Sequence, residues 1–289
     1  MKAVLVAAAM AAFAACADDA VVVTLSEKER PDVKTLVRRR ASISNSSNVY
    51  GLTLANVRAH GRNGRRFHMG VANGLQSGFS ALEDSFRLSV NGIDATLLQP
   101  GREMFREWSG DGGEKGAALS LNFDGAWVDV RFYMRPGSPV LWCEVAKSSS
   151  RTQHTPVTNV VVKVTAIPSF LDCGSGRKTR FSGYSRQVRT ASRLLKAPPG
   201  RVEAAVPGDR YFVLQDGDYD GSAEGRGMGP SATWPLDDTP ARVSLGDRWT
   251  TSVEYRPDLS RPFRLALLEF RSRRVSNDDF MKTVEELSK

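Results

Sequence analysis

The chain has 289 residues, of which 41% are hydrophobic, 25% charged and 8% aromatic, and its formal net charge is +8. This is the composition of a folded globular protein, and it excludes a disordered or fibrous chain. A mean hydropathy of −0.31 excludes a protein with several membrane spans, and three cysteines are too few for a disulfide scaffold.

The N-terminus has the pattern of an export signal. Lys2 precedes an almost wholly apolar segment over residues 3–15, which is too short to span a bilayer, and Ala15-Cys16-Ala17 fits a small-residue cleavage site. We therefore expect residues 1–17 to be a signal peptide and the protein to be periplasmic, extracellular or held at the cell envelope. In a second interpretation, Cys16 ends a bacterial lipoprotein box and carries a lipid anchor, which is the one membrane contact that the sequence predicts.

The positive charge is dispersed along the chain. Arginines cluster at residues 38–40, 62–66 and 271–274, and no nucleic-acid motif accompanies them. We expect no nucleic acid as a partner. An exported cationic protein meets acidic polysaccharides rather than nucleic acid as its anionic partners. A poly- or oligosaccharide partner is predicted instead, and the charge favours an acidic one. The alternative is that these clusters are solvated faces and protected strand edges.

The body of the chain has the pattern of an all-β protein. Runs of alternating or β-branched residues recur, separated by Gly, Pro, Asn and Asp. The predicted strands are 20–27, 49–59, 66–72, 86–90, 117–123, 126–134, 140–146, 157–166, 200–206, 210–215, 241–245, 249–255 and 264–270. No shift in composition marks an internal boundary, so we expect residues 18–289 to form a single large antiparallel β-sandwich.

The clearest hairpin joins two of these strands through a four-residue loop at residues 135–138. Its apolar positions alternate on both sides of the loop and coincide on one face, which fixes the pairing. The resulting register predicts Arg131 opposite Trp142 and Asp129 opposite Glu144. The second pair is unfavourable unless a cation, a shift or a third layer intervenes.

The opposite face of this hairpin is predicted to bind a ligand. It presents aromatic and cationic side chains together, namely Trp127, Arg131, Tyr133 and Trp142. An aromatic plate beside polar groups suits a sugar ring, and a guanidinium suits an acidic sugar. The alternative is that another layer covers this face and that these residues belong to the core.

An acidic segment further along the chain is a candidate metal site. Asp216, Asp218 and Asp220 alternate and are followed by Gly221, a pattern that can wrap oxygen ligands around Ca²⁺. The sequence therefore predicts calcium as a cofactor in a loop between strands. An acidic turn without metal is the alternative, because Asp and Gly favour turns on their own.

The C-terminus is predicted to end in a short helix. Ser276 is a candidate N-cap with Asp279 three residues later, and Phe280, Val284 and Leu287 then recur at helical spacing. We expect this helix to cover a face or an edge of a sheet.

The succession of segments in the middle of the chain resembles a known family. Residues 116–123, 127–134, 139–145 and 160–164 are similar to the galactose mutarotase-like β-supersandwich, which occurs in sugar epimerases and in domains of polysaccharide lyases and glycosidases. The resemblance implies the fold. It implies no catalytic residues, since His60, His68, His154 and Glu269 do not lie in motifs that match the paired histidines and glutamate base of the family's enzymes.

These observations lead to one hypothesis and two alternatives. The hypothesis is an exported carbohydrate-binding or accessory β-sandwich of polysaccharide metabolism. The first alternative is a sugar-active enzyme of the supersandwich class, an epimerase, lyase or glycosidase relative. The second is a structural protein of the cell envelope.

Overall fold

The computed structural model describes residues 19–29, 35–57, 70–71, 86–95, 105–168, 170–172, 178–180, 185–197, 202–219, 221, 229–246, 250–269 and 275–289. These residues form antiparallel strands, one short 3-10 turn and one C-terminal α-helix, which confirms the predicted all-β sandwich. The predicted signal peptide, including Cys16, lies outside the described residues.

The largest sheet has nine strands within the described part of the chain. Numbered along the chain and given in spatial order, they are β15 (Leu194–Lys196), β14 (Arg186–Thr190), β17 (Phe212–Asp216), β18 (Ser231–Pro235), β21 (Phe263–Glu269), β10 (Leu141–Lys147), β9 (Ala126–Met134), β8 (Lys115–Phe123) and β7 (Arg106–Ser109). Neighbouring strands in this order are antiparallel throughout.

The other strands form three smaller sheets. The six-stranded sheet contains β16 (Val202–Ala205), β19 (Ala241–Leu245), β20 (Thr251–Tyr255), β11 (Val160–Ala166), β5 (Phe86–Val90) and β6 (Ile93–Asp94). The four-stranded sheet contains β1 (Val22–Glu29), β2 (Thr35–Ser44), β3 (Val49–Val57) and β4 (Gly70–Val71). A separate pair consists of β12 (Phe170–Asp172) and β13 (Lys178–Arg180).

One apolar core joins the three main sheets. Val130 of the nine-stranded sheet, Val162 of the six-stranded sheet and Ile43 of the four-stranded sheet are all fully buried in it. From Ala126 to Arg131 of β9 and throughout β11, buried and half-buried residues alternate, as expected of strands that turn one face to the core. We call the other side of the nine-stranded sheet, which faces away from this core, its outer face.

A buried polar contact ties the four-stranded sheet to the nine-stranded one. Nδ2 of Asn48 lies within hydrogen-bond distance of the carbonyl oxygens of Pro139 and Glu269, and the Tyr50 hydroxyl donates to the Pro139 carbonyl at 2.7 Å. Burial raises the pKa of Tyr50 far above its usual value, so its hydroxyl remains a donor. These bonds satisfy polar groups that would otherwise be costly inside the core.

The hairpin of β8 and β9 closes with the two-residue turn Asp124-Gly125, at φ 53° and 87°. An Asp-Gly pair favours this turn because both positions need a positive φ. The next connection differs from the sequence prediction. β9 and β10 pair with Tyr133 opposite Trp142 and Arg131 opposite Glu144, so residues 135–140 form a longer loop than predicted.

Helix α1 (Asn277–Leu287) packs on part of the outer face, as the sequence predicts. Its N-cap is Ser276, whose hydroxyl accepts from the Asp279 amide at 3.2 Å. Phe280 and Val284 are buried as predicted. Leu287 is 36% exposed, so it does not lie on the packed face where the sequence pattern places it. Among the described residues, no helix has the length and apolar character needed to cross a bilayer.

Candidate functional site

An aromatic row crosses the outer face of the nine-stranded sheet from the edge strand β7 to β18. In order, each residue directly opposite the next, it consists of Trp108, Gly116, Tyr133, Trp142, Ala266 and Trp234. Helix α1 belongs to the same apolar cluster as Tyr133, Trp142 and Trp234, and half-buried Trp108 packs against this cluster. The Trp108 end lies on the part of the outer face where charged and half-buried side chains begin.

Two of the predicted ligand-binding residues are buried in this row. Tyr133 is 4% exposed and Trp142 is 6% exposed, whereas the sequence prediction requires open aromatic plates. The Trp142 ring meets the Trp234 ring edge-on at 6.3 Å, and the Arg135 guanidinium lies 4.9 Å from its centroid. Tyr133 and Trp142 therefore support the face from below rather than present a surface to a ligand.

Trp108 is the aromatic side chain that the row leaves half-buried at its open end. Because Gly116 has no side chain, the Trp108 ring packs directly against Tyr133, with ring centroids 5.0 Å apart. The Arg131 guanidinium lies 5.6 Å from the Trp108 ring centroid. The sequence pattern does not single out Trp108, since β7 is a four-residue strand whose side chains are mostly exposed and show no alternation.

Arg131 lies on this face as predicted, but with a different partner. It stands opposite Glu144 and forms an ion pair with it at 3.2 Å, so the predicted pairing with Trp142 is wrong. The shift in register also separates Asp129 from Glu144, which removes the predicted repulsion. Asp129 instead accepts a hydrogen bond from Ser120.

Trp127 lies on the same face near the other end of β9, where it is half-buried. Its backbone is held by Gln153, which accepts from the Trp127 amide at 2.8 Å and donates to the Trp127 carbonyl at 2.9 Å. This contact brings the loop after β10 against the strand. As a result the Arg151 guanidinium lies 5.1 Å from the Trp127 ring centroid.

We call the exposed and half-buried outward side chains of β7 to β10 the open face; its charged and aromatic members are Arg106, Trp108, Trp127, Asp129, Arg131 and Glu144. Further arginines border it at Arg135, Arg151 and Arg264, all of them exposed. Burial raises the pKa of Tyr133 beneath this face, and the negative charge of Glu114 adds to the effect while the guanidinium of Arg135 opposes it. The face therefore combines two half-buried rings with two guanidinium groups and two carboxylates, and three further guanidinium groups lie at its border.

The predicted calcium ligands are only partly described. Asp216 is fully buried; its Oδ1 accepts from the Asp218 amide at 2.9 Å, and its Oδ2 has no hydrogen-bond partner in the described part of the chain. Asp218 is exposed, and Asp220 lies outside the described residues. Among described residues, no group of three His, Cys, Asp or Glu side chains is placed to hold a metal ion. Calcium binding at these three aspartates stays a prediction.

Thermal melts test this calcium prediction. If the three carboxylates converge on Ca²⁺, bound metal stabilises the fold by about 2.7 kcal/mol at a hundredfold excess over the dissociation constant. The melting temperature should then rise with calcium, fall with chelator and become insensitive to both in Asp218→Ala. Glu286→Ala, which removes an exposed acid on α1, is the control and should respond like the wild type. Identical melts with calcium and with chelator would contradict the prediction.

Comparison with known proteins gives no family. No protein-family model matches the chain, and no curated protein matches it. The galactose mutarotase-like resemblance therefore stays a prediction.

Solved structures give weak likenesses. The α-N-acetylgalactosaminidase NagBb from Bifidobacterium bifidum has a TM-score of 0.47 at 11% identity over 91% of this chain and 38% of its own. A Paenibacillus xanthan lyase has a TM-score of 0.47 at 8% identity over 89% and 26%. The GH36 α-galactosidase AgaA from Geobacillus stearothermophilus has a TM-score of 0.36 at 8% identity over 84% and 40%.

The chain thus spans about two fifths or less of the length of these enzymes. All three act on carbohydrates. Because scores below 0.5 do not establish a shared fold, the architecture rests on the strand pairing above and the function on the open face.

Proposed function

We propose that this chain is an exported protein that binds an acidic polysaccharide on its open face. The observation that carries the proposal is the half-buried Trp108 ring, backed by Tyr133 at 5.0 Å and flanked by the Arg131 guanidinium at 5.6 Å. Export rests on the signal pattern of residues 1–17.

The chemistry of this arrangement suits a sugar acid. An aromatic ring offers an apolar plate to the C–H face of a sugar, and Tyr133 keeps the Trp108 ring in place because the two rings pack together. A guanidinium pairs with a carboxylate through charge-assisted hydrogen bonds. Arg131 and the exposed Arg106 and Arg264 supply this charge on or beside the same face.

Both carboxylates of the open face are engaged by neighbouring side chains. Most glycosidases need two carboxyl groups on either side of the scissile bond, one of them free to donate a proton. Here Glu144 is engaged by Arg131 in an ion pair, and Asp129 accepts a hydrogen bond from Ser120. Both groups are thus used to orient neighbouring side chains.

Affinity measurements with a panel of polysaccharides test the proposal. Polygalacturonate, alginate, hyaluronan and heparin are the acidic probes, and dextran is the neutral one. We expect at least one acidic polymer to bind, with an affinity that falls as salt rises. Trp108→Ala should weaken binding about five- to tenfold, the loss of an aromatic contact of about 1–1.5 kcal/mol, and Arg131→Gln should weaken it and reduce the salt dependence.

Arg87→Gln is the matched control, because it removes the same charge from an exposed position on β5 of the six-stranded sheet. Its affinity should equal that of the wild type. Binding to none of the acidic polymers, or equal losses in Arg87→Gln and Arg131→Gln, would overturn the proposal. Release of reducing ends or unsaturated sugars from a polymer would establish the enzyme alternative instead.

A further inference from the structure

The open face holds the same pair of side chains twice. Trp108 with Arg131 lies toward one end of β9, and Trp127 with Arg151 lies toward the other. In each pair the ring is half-buried and the guanidinium lies within 6 Å of its centroid, at 5.6 and 5.1 Å. We infer that these are two subsites for acidic sugars and that one polysaccharide chain occupies both, running along β9; this rests on the proposed function.

The spacing of the two subsites follows from strand geometry. Trp127 and Tyr133 share the outer face of β9 and are six residues apart, which corresponds to about 20 Å along a strand. Trp108 packs against Tyr133, so it marks the far end of this span. A single sugar is much shorter than about 20 Å and cannot reach both rings, whereas an oligosaccharide lying parallel to the strand can.

The surface between the two rings suits such a path. Ala118 lies opposite Arg131, and Ala146 lies opposite Asp129, so small side chains alternate there with polar ones. The Arg106 guanidinium donates to the Ser120 hydroxyl, which itself donates to Asp129. The Arg106 guanidinium and the Asp129 carboxylate offer hydrogen bonds to sugar hydroxyls, and the alanines leave room for the rings between the two subsites.

The loop that carries the second subsite is held against β9, and its Arg151 guanidinium is exposed. Gln153 holds the loop against the Trp127 backbone with two hydrogen bonds, and the Ser148 amide also donates to the Trp127 carbonyl, at 3.0 Å. Arg151 is exposed and forms no ion pair with any acid in the described part of the chain. Its guanidinium therefore meets a sugar carboxylate without first breaking a protein ion pair, unlike Arg131, which is paired with Glu144.

A size series of oligosaccharides tests this inference. The series runs from disaccharide to decasaccharide and is prepared from each acidic polymer of the panel that binds. Affinity should rise slowly with length and then increase by about a hundredfold or more once one chain spans both subsites, because the second contact becomes intramolecular. Trp127→Ala and Arg151→Gln should each remove this step, and the number of disaccharides bound per chain should fall from two to one.

Indole N–H resonances give a second readout. In the wild type, a disaccharide should shift the signals of both Trp108 and Trp127, whereas in Trp127→Ala it should still shift that of Trp108. Arg151→Gln covers the case in which Trp127→Ala fails to fold, since Arg151 is an exposed loop residue. Leu236→Ala, at a side chain 42% exposed outside the open face, is the control and should keep the step.

The outcomes separate the two claims. In one outcome, polymer binding depends on Trp108 and Arg131, while affinity shows no step with length and is unchanged in Trp127→Ala and Arg151→Gln. That result overturns the inference and leaves the proposed function standing. If no acidic polymer binds at all, the proposed function fails and the inference falls with it.

Discussion

Gly116→Ala is expected to lower the free energy of unfolding by about 3 kcal/mol, the upper part of the range for added bulk in a packed site. A Cβ at Gly116 would overlap the Phe132 carbonyl oxygen and the Cα and Cβ of Tyr133. These are backbone and near-backbone atoms of β9, so the strand pair has to separate to relieve the overlap. Urea denaturation, followed by circular dichroism, measures the loss.

Ala118→Val is the matched control for this substitution. Ala118 is the next residue on the same face of β8 and is half-buried, so a larger side chain there has room toward solvent. We expect its denaturation midpoint to stay close to that of the wild type. A wild-type midpoint for Gly116→Ala would show that β8 and β9 are not held as closely as the structure has them.

Trp142→Ala is expected to cost about 3–5 kcal/mol, as truncation of a buried tryptophan usually does. Trp142 is 6% exposed and packs edge-on against Trp234, which is itself 2% exposed. The same substitution at half-buried Trp127 should cost less, because less of its surface leaves an apolar environment. Chemical denaturation of the two variants side by side makes the comparison.

The two substitutions also separate a supporting role from a binding role. A full loss of polysaccharide affinity in Trp142→Ala, with stability unchanged, would show that Trp142 is itself the stacking plate that the sequence predicts. Loss of stability with retention of affinity in the folded fraction would place it beneath the binding surface, as its burial indicates.

Strands with a clear alternating pattern were predictable from the sequence. The bounds of β5, β9 and β19 agree with the prediction to the residue, since each alternates cleanly between turn residues. β2 was missed because the arginines of residues 38–40 interrupt its apolar pattern, although Ala41 and Ile43 after them are fully buried. β18 was missed because it follows a glycine-rich segment and ends at Pro235.

The face of the sheet that carries the candidate site was predictable from the sequence, but the burial of its side chains was not. Alternation places Trp127, Arg131 and Tyr133 on one face of β9, as the structure has them. Burial of Trp142 depends on Trp234 and Arg135, which no local pattern connects with it. The observed register differs from the predicted one by two residues, because the connecting loop is two residues longer than its turn residues suggest.

The Asn48 contact has a consequence for the order in which the chain folds. Its side chain bonds to the carbonyl of Glu269, 221 residues further along the chain. Contacts between such distant positions cost loop-closure entropy before they contribute any stabilisation, and chains rich in such contacts fold slowly. During synthesis the Asn48 and Tyr50 contacts therefore form only after β21 has been made, and an upstream fragment ending before Phe263 should leave these two side chains without their β21 partners.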